Sequence, residues 1–271
     1  MKTPIGFSMQ PEVEKKEEEK QQNFDCPQDG SPTPSVVTVA FENGKQYPYY
    51  NDRFELEVGD YVYVDGKLAG KRGQVIFQTY QFCVNLKYYK RVLQKINRTV
   101  HGTFIKSDMF LVCHDATALP YSQIHPWFFP PETDGEKNEI VYGEGFHINL
   151  SGDNNCFDYD YSDYKTGVDY FYDKTTQYIS CVHGVGQVII KDTHDPQNYV
   201  TVSFHYENET MESVYCDCIE PGFCPHIHTA ATAIRYLLDN HVISEENPDF
   251  CALSVDLFSQ FVENRNGQIT V

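Results

Sequence analysis

Residues 215–227 read YCDCIEPGFCPHI, and this short stretch is the most informative part of the chain. It contains a Cys-x-Cys pair, a gap of five residues, and then a Cys-x-His pair. Three thiolates and one imidazole complete the tetrahedral coordination that zinc adopts in structural sites, and they leave no position for a reacting water. We therefore predict a structural Zn²⁺ site. Its four ligands are Cys216, Cys218, Cys224 and His226.

The residues around these ligands predict a hairpin followed by a helix. Cys216 and Cys218 follow a segment rich in β-branched and aromatic residues, and residues i and i+2 of a strand share one face. Pro221 and Gly222 then favour a turn. Cys224 stands at the expected N-cap of a helix, with a proline at the first helical position and apolar residues at helical spacing beyond it. The metal would thus connect the hairpin to the helix.

Two alternatives remain open from the residues alone. His228 lies four residues after Cys224, so on a helix it could face the same way and replace His226 as the fourth ligand. The cysteines could also be reduced core residues, because buried free cysteine is common in proteins.

The stretch resembles the SWIM zinc finger family, in which a Cys-x-Cys pair, a variable gap and a Cys-x-His pair precede an apolar helix. The resemblance extends upstream to cover about residues 167–241, where a Tyr-containing strand and two further strands lead into the cysteines. In this chain the gap is short, and a proline stands where the family commonly has a basic residue. The resemblance implies that the four ligands bind zinc in a module that contacts DNA or proteins.

A second motif, rich in glycine and valine, lies in the first third of the chain. Residues 59–75 are similar to the KOW motif of SH3-like barrels, in which a glycine-bearing loop joins two strands and often meets RNA or a protein partner. Glycine permits the positive φ angles that tight strand connections need. We expect Val62, Val64 and Val75 to face the interior of such a barrel.

These patterns predict an α+β fold in four parts. Residues 1–34 form a disordered polar tail, because they contain too few apolar residues to order themselves. Residues 35–131 form a small SH3-like β-barrel or a curled antiparallel sheet. Residues 132–166 form an acidic, Tyr-rich connection, and residues 167–271 form the SWIM-type zinc-binding domain: a β-rich lead-in, a zinc-stapled hairpin and C-terminal helices.

Two apolar stretches refine this picture. Residues 125–130, HPWFFP, are predicted to form an apolar plug that closes the first domain. Asn247-Pro248 predicts the start of a second helix after the zinc motif. Its apolar stripe would contain Phe250, Leu253, Leu257, Phe258 and Phe261.

The net charge of −18 is distributed unevenly. Residues 66–107 contain no Asp or Glu and nine of the 21 Lys and Arg residues, whereas the rest of the chain carries all 39 acidic residues. Cations interleaved with aromatic residues suit single-stranded nucleic acid, where stacking and phosphate neutralisation combine. The candidate contacts are Lys71, Arg72, Lys87, Lys90, Arg91, Lys95 and Arg98. The same cations could instead form a solvated face, or dock against the acidic residues 152–173 of the same chain.

The sequence does not favour an enzyme. It has no phosphate-binding glycine loop, dinucleotide fingerprint, Gly-x-Ser-x-Gly or His-Glu-x-x-His motif. Cys113-His114-Asp115 places a thiol, an imidazole and a carboxylate side by side, but neighbours on a strand point to opposite faces and rarely form a triad.

The composition also bears on location. No apolar segment follows the first residues, and no apolar run approaches the length needed to span a membrane. We therefore expect a cytoplasmic protein with reduced cysteines. The predicted function is zinc-dependent recognition of a macromolecule, either an unidentified protein or a nucleic acid, with no membrane or small-molecule substrate. The alternative function is nucleic-acid binding through residues 66–107.

Overall fold

The computed structural model describes most of the chain. It describes residues 21–23, 32–83, 89–131, 145–150, 161–192, 195, 198–219, 222–244, 249–263 and 269–271. The predicted tail and the predicted connection therefore lie largely outside the described residues.

Strands and helices are both present, as the predicted α+β class requires. The strands are β1 (Gln21–Asn23), β2 (Ser35–Phe41), β3 (Gln46–Asn51), β4 (Tyr61–Val64), β5 (Arg72–Thr79), β6 (Gln81–Cys83), β7 (Lys90–Ile96), β8 (Gly102–Thr103), β9 (Ile105–Ser107), β10 (Phe110–Cys113), β11 (Phe146–Asn149), β12 (Thr176–Val182), β13 (Val185–Lys191), β14 (Tyr199–Glu207), β15 (Thr210–Cys216), β16 (Phe250–Ser254) and β17 (Ile269–Thr270). The α-helices of the described residues are α1 (Tyr121–Phe128), α2 (Tyr161–Tyr172), α3 (Pro225–Asp239) and α4 (Val255–Phe261).

The first ordered part is a closed five-stranded barrel with the strand order β2-β3-β7-β4-β5. The predicted small barrel is confirmed. The alternative of a curled antiparallel sheet is wrong, because the strands close into a barrel in which β5 pairs with β2 and β3 pairs with β7 in parallel. Val62, Val64 and Val75 are fully buried inside it, as the alternation of valines along the strands requires. Gly73 is needed at the β4–β5 pairing, since a Cβ there would lie 2.4 Å from a Val39 methyl.

The second part is an eight-stranded antiparallel sheet with the order β11-β15-β14-β13-β12-β16-β10-β9. Both faces of its central strands are buried. On β12, Ile179 belongs to a core shared with α3, while the neighbouring Tyr178 belongs to a core shared with α1, α4 and barrel residues. The sheet therefore separates the face that carries the cysteine motif from the face that meets the barrel.

The junction between barrel and sheet is built around Trp127, near the end of α1. Its ring packs edge-on against Tyr61 of the barrel and against Phe261 of α4, with centroids 5.3 Å apart in both cases. The Arg72 guanidinium lies 3.5 Å from the Trp127 ring centroid. The HPWFFP stretch thus packs in the core between the two ordered parts, and none of its described residues belongs to the core of the barrel itself.

Two features of the large sheet differ from the sequence predictions. Phe250 to Ser254 form the central strand β16 rather than the start of a helix, and α4 begins only at Val255. All five strand residues are buried, so the apolar run shows no alternation that would have distinguished a strand from a helix. In addition, β9 and β10 pair with this sheet although they lie within the predicted first domain of residues 35–131.

Some described segments lie within the predicted tail and the predicted connection. Gln21–Asn23, inside the predicted tail, pair with β6. β11 and the start of α2 lie within the predicted connection of residues 132–166. Among the described residues, no helix is both long enough and apolar enough to cross a membrane.

Candidate metal centre

The hairpin β14–β15 presents the first two cysteines. Cys216 is the last residue of β15 and lies opposite Val202 of β14. The chain stays attached to β14 one residue later, because the Asp217 amide donates to the Thr201 carbonyl at 3.2 Å and the Thr201 amide donates to the Asp217 carboxylate at 2.7 Å. This double contact fixes the backbone between Cys216 and Cys218, so that both sulfurs can approach one point.

The start of α3 presents the other two residues. Cys224 is the N-cap in an extended conformation, and Pro225 occupies the first turn, as the sequence predicts. Cys224 and His226 are each only 3% exposed. A negatively charged sulfur at the N-terminus of a helix interacts favourably with the helix dipole. The helix start is therefore a suitable position for a thiolate ligand.

The fold brings the four predicted ligands together. The ligand atoms of Cys216, Cys218, Cys224 and His226 all lie within 4.8 Å of one another. In a tetrahedral zinc site with Zn–S bonds of about 2.3 Å, two sulfurs would lie roughly 3.8 Å apart. That separation lies within the 4.8 Å bound on the ligand atoms, so the cluster could hold a metal ion.

The imidazole of His226 supports this interpretation. Both of its ring nitrogens are buried, and neither has a hydrogen-bond partner among the described residues. An unsatisfied buried polar atom is costly, so each one in a folded protein calls for an explanation. A metal ion at the cluster would satisfy one of these two nitrogens.

The pKa values of the cluster show how its groups influence one another. Burial lowers the pKa of the His226 ring, but the neighbouring Cys218 and Cys224 sulfurs raise it more, to about 10. Hydrogen bonding to Cys218 and Cys224, together with burial, raises the pKa of the Cys216 thiol well above its usual range. Thiols must lose their protons to bind a metal, so metal binding at this cluster would release protons.

His228 lies outside the cluster. Its side chain is fully buried, and its ring packs edge-on against Phe223 with centroids 4.4 Å apart. Burial lowers the pKa of this imidazole to about 4, so the ring is neutral in the folded protein. Of the two histidines that the sequence left as candidates, His226 is therefore the one with the cysteines.

Asp217 is a candidate positioning residue that the sequence analysis did not identify. Its carboxylate is held by the Thr201 amide, and burial raises its pKa to about 6. The signal in the sequence was an acidic residue between two ligand cysteines. The partner strand that gives this position its role could not be known without the pairing of β14 and β15.

Most of the seven basic candidates have partners inside the fold. Lys95 contacts the Asp60 carboxylate at 2.8 Å, and Arg91 contacts Asp52 at 3.4 Å. Arg98 donates to the Phe261 and Gln260 carbonyls at 2.8 and 3.0 Å and so ties the barrel side to α4.

The remaining basic candidates divide between half-buried, exposed and undescribed positions. Arg72 stacks on Trp127 and donates to its carbonyl at 2.7 Å. Lys71 and Lys90 are exposed, and Lys87 lies outside the described residues. The predicted basic segment therefore does not form one continuous free surface over its described part.

The Cys113-His114-Asp115 triplet is used structurally. The Asp115 carboxylate accepts from the Thr117 amide at 2.9 Å and caps a short 3₁₀ helix. Cys113 is buried directly opposite Cys251 in the β10–β16 pair. Hydrogen bonding to Cys251 lowers the pKa of Cys113 to about 6. His114 is exposed, so the three groups do not converge on one point.

Comparisons with protein-family models, with curated proteins and with solved structures find no match to this chain. The resemblances to the SWIM family and to the KOW motif consequently rest on the residues quoted for them.

Proposed function

We propose that this protein is a recognition protein whose C-terminal half is held together by a structural zinc ion. The observation that carries the proposal is the convergence of three cysteines and one histidine, with all four ligand atoms within 4.8 Å. Three sulfurs and a nitrogen are the donor set of closed zinc sites, which do not activate water. The proposed role of the metal is therefore structural.

Zinc at this position would cross-link two elements that also pack against each other in the same core. The end of β15 supplies two ligands, and the N-terminus of α3 supplies the other two. α3 buries Ile227, Ala231 and Ile234 against the large sheet. Zinc binding in zinc-finger peptides supplies apparent free energies of about 10–16 kcal/mol, so a fraction of that amount would suffice to fix the helix on the sheet.

The loop between the two ligand pairs is the proposed contact surface for a partner. Ile219 follows directly after Cys218 and is completely exposed, at 101% of its reference area. Gly222 in the same loop has φ near +91°. An apolar side chain held away from the core by a metal-fixed loop suits recognition better than stability.

We favour a protein partner over a nucleic acid, and a cytoplasmic location where thiols stay reduced. The net charge is −18, which repels phosphate backbones over most of the surface. Among the described basic candidates, Arg91, Lys95 and Arg98 direct their cationic groups at carboxylates or carbonyls of the protein itself.

Metal content is the direct test of the zinc proposal. Elemental analysis of the purified full chain is expected to give one zinc per chain, and Cys218→Ser or His226→Ala should remove most of it. Cys181→Ala is the matched control, because Cys181 is a buried cysteine of the same core outside the cluster. A folded chain without zinc, or an unchanged zinc content in both cluster variants, would overturn the proposal.

The contact surface has a separate test. Ile219→Asp is expected to leave zinc content and melting temperature unchanged, because the side chain is completely exposed. It should at the same time abolish co-purification of a stoichiometric partner with the full chain. Retention of that partner by the variant would exclude the loop as its binding surface.

Nucleic-acid binding by the barrel is the second candidate, favoured by the acid-free segment 66–107. Phe77 and Tyr80 are 58% and 49% exposed in this segment, and Lys90 is exposed as well. Single-stranded RNA should then bind at low salt, and Lys90→Glu should weaken that binding. Absence of binding at low ionic strength would remove this candidate.

A further inference from the structure

A cleft between the barrel and the large sheet contains a cation that has few partners. The cleft has a volume of about 630 Å³ and is lined on one side by barrel residues and on the other by α1, α4 and β14. Arg72 lies in its wall, with its guanidinium stacked on Trp127. Ligand pockets of this size lie within the usual range for small-molecule sites.

The bonding of Arg72 is incomplete. A guanidinium has five N–H donors, and among the described residues Arg72 makes one hydrogen bond, to the Trp127 carbonyl. No carboxylate of the described residues lies within ion-pair distance of it. Burial lowers its pKa, which expresses the cost of holding this charge away from water. Arg72 is half-buried, and a charge partly withdrawn from water is normally paired, so the free donors favour an anion in the cleft.

The remaining lining limits what that anion can be. Lys71 adds a second positive charge beside Arg72. Phe128 and Tyr199, whose ring centroids are 4.6 Å apart, provide a half-buried aromatic wall. The amides that line the cleft are Asn43, Gln177, Asn198 and Gln260. The cleft therefore offers more than a simple oxyanion needs. Its aromatic side chains provide a stacking surface for a polar ring, and its amides can form hydrogen bonds with the edge of that ring.

The carboxylate of Glu42 also lines the cleft. Its negative charge favours the charged form of the Arg72 guanidinium, and it can accept hydrogen bonds from sugar hydroxyls or from an exocyclic amine. Together the cleft offers cations for a phosphate, aromatic faces for a base, and oxygen and amide groups for the edges of base and sugar.

We propose that this cleft binds a nucleotide, with the phosphate at Arg72 and Lys71 and the base against Phe128 and Tyr199. The nucleotide is either a free nucleoside phosphate or one unit of a single strand, since both share this chemistry. The site is independent of the zinc proposal, because it lies on the opposite face of the large sheet from α3.

Trp127 makes the test specific, because it is the single tryptophan of the chain and stacks on Arg72. Trp emission of the full-length protein is followed during titration with AMP, adenosine, inorganic phosphate and an eight-nucleotide oligo(A). We expect a saturable change with AMP or with oligo(A). Adenosine and inorganic phosphate should each bind at least about tenfold more weakly, because each lacks half of the recognised groups.

The two sources of the ligand are distinguished in the same experiment. Tighter binding of AMP assigns the site to a free nucleotide, and tighter binding of oligo(A) assigns it to a strand. The proposal is overturned if neither changes the emission, if adenosine binds as tightly as AMP, or if inorganic phosphate accounts for the whole effect.

A matched pair of lysine variants tests the geometry. Lys71→Ala should weaken binding about five- to tenfold at low salt, because it removes a charge from the phosphate position. Lys67→Ala removes an equally exposed lysine from the same inter-strand loop but not from the cleft, and it should leave the affinity unchanged. Equal losses in the two variants would mean non-specific attraction and would overturn the assignment. The melting temperature of each variant shows that it is folded.

Discussion

Gly167 of α2 packs closely against the first turn of α3. A Cβ at this position would lie 2.3 Å from the His228 Cβ and 2.7 Å from the Pro225 carbonyl oxygen. The Thr229 hydroxyl also donates to the Gly167 carbonyl at 3.0 Å. The absence of a side chain thus allows α2 to pack directly over the helix that carries two of the candidate ligands.

The sign of the change in the free energy of unfolding caused by Gly167→Ala tests this close approach. In an open helix the change would stabilise the protein by about 1 kcal/mol. Here the added methyl group must push α2 and α3 apart, and we expect a loss of about 1–3 kcal/mol in the free energy of unfolding, measured in urea. Lys165→Ala, at an exposed position of the same helix, should stay within about 0.5 kcal/mol of the parent. A stabilising Gly167→Ala would show that the helices are not in contact.

Tyr178 is a second residue whose environment can be tested. Its side chain is fully buried, and its hydroxyl donates to the Leu119 carbonyl at 2.6 Å. Burial raises its pKa well above the usual value. A tyrosine whose pKa is raised by folding contributes stability that is fully present below the unfolded-state pKa near 10. That stability is lost as the pH rises from there through the higher folded-state pKa.

Tyr178→Phe should therefore cost about 1–2 kcal/mol at pH 7, because the Leu119 carbonyl loses its donor. The difference from the parent should shrink by about 0.8 kcal/mol at pH 10.5, since only the parent loses the ionisation-linked stability. Denaturant unfolding at the two pH values measures both effects. Tyr172→Phe, at a position 65% exposed, is the control and should show neither. A pH-independent difference would argue against a buried Tyr178 hydroxyl.

At the scale of elements, the connection from β15 to α3 decides whether the cluster can form. Two hydrogen bonds between Asp217 and the backbone of Thr201 hold the Cys-x-Cys segment on β14. Residues that orient metal ligands without touching the metal commonly change metal affinity by about 10–100-fold when removed.

Asp217→Ala should accordingly lower zinc affinity by about 10–100-fold, as measured by competition with a chromogenic chelator. Asp217→Asn keeps an oxygen acceptor for the Thr201 amide and should retain most of the affinity. Comparing the two variants distinguishes the contribution of the hydrogen bond to zinc affinity from that of the carboxylate charge. Equal losses in both variants would assign the effect to the charge, and no loss in either would remove Asp217 from the site.

At the scale of the whole molecule, the barrel and the sheet share one core. Buried residues of that core include Tyr63 and Ile96 from the barrel and Leu253 from β16. Trp127 lies between the two parts and is 7% exposed. Two parts that bury apolar side chains against each other are expected to unfold together.

We therefore expect a single unfolding transition. Trp emission, which reports the junction, and far-UV circular dichroism, which reports all strands and helices, should give the same midpoint. Chelation of zinc should lower that midpoint for both signals. Separate midpoints for the two signals would show that the barrel unfolds independently of the sheet.

The metal cluster and the barrel were predictable because their signals are local. Cys216, Cys218, Cys224 and His226 lie within eleven consecutive residues, so chain connectivity alone keeps them near one another. The inward valines of β4 follow the two-residue period of a strand. The β16 strand was mistaken for the start of a helix because its five residues are buried on both faces and carry no such period.

By itself, the sequence determined the three candidate cysteine ligands, the proline start of α3 and the inward valines of the first ordered part, since each depends on neighbouring residues and on backbone preferences. Only the tertiary structure decided which histidine joins the cysteines, which cations remain free, and where the cleft lies. Those outcomes depend on contacts between residues far apart in the chain, as in the pairing of Arg98 with Phe261 and of Arg72 with Trp127. Such contacts follow from how the sheet and barrel pack, and no local pattern encodes them.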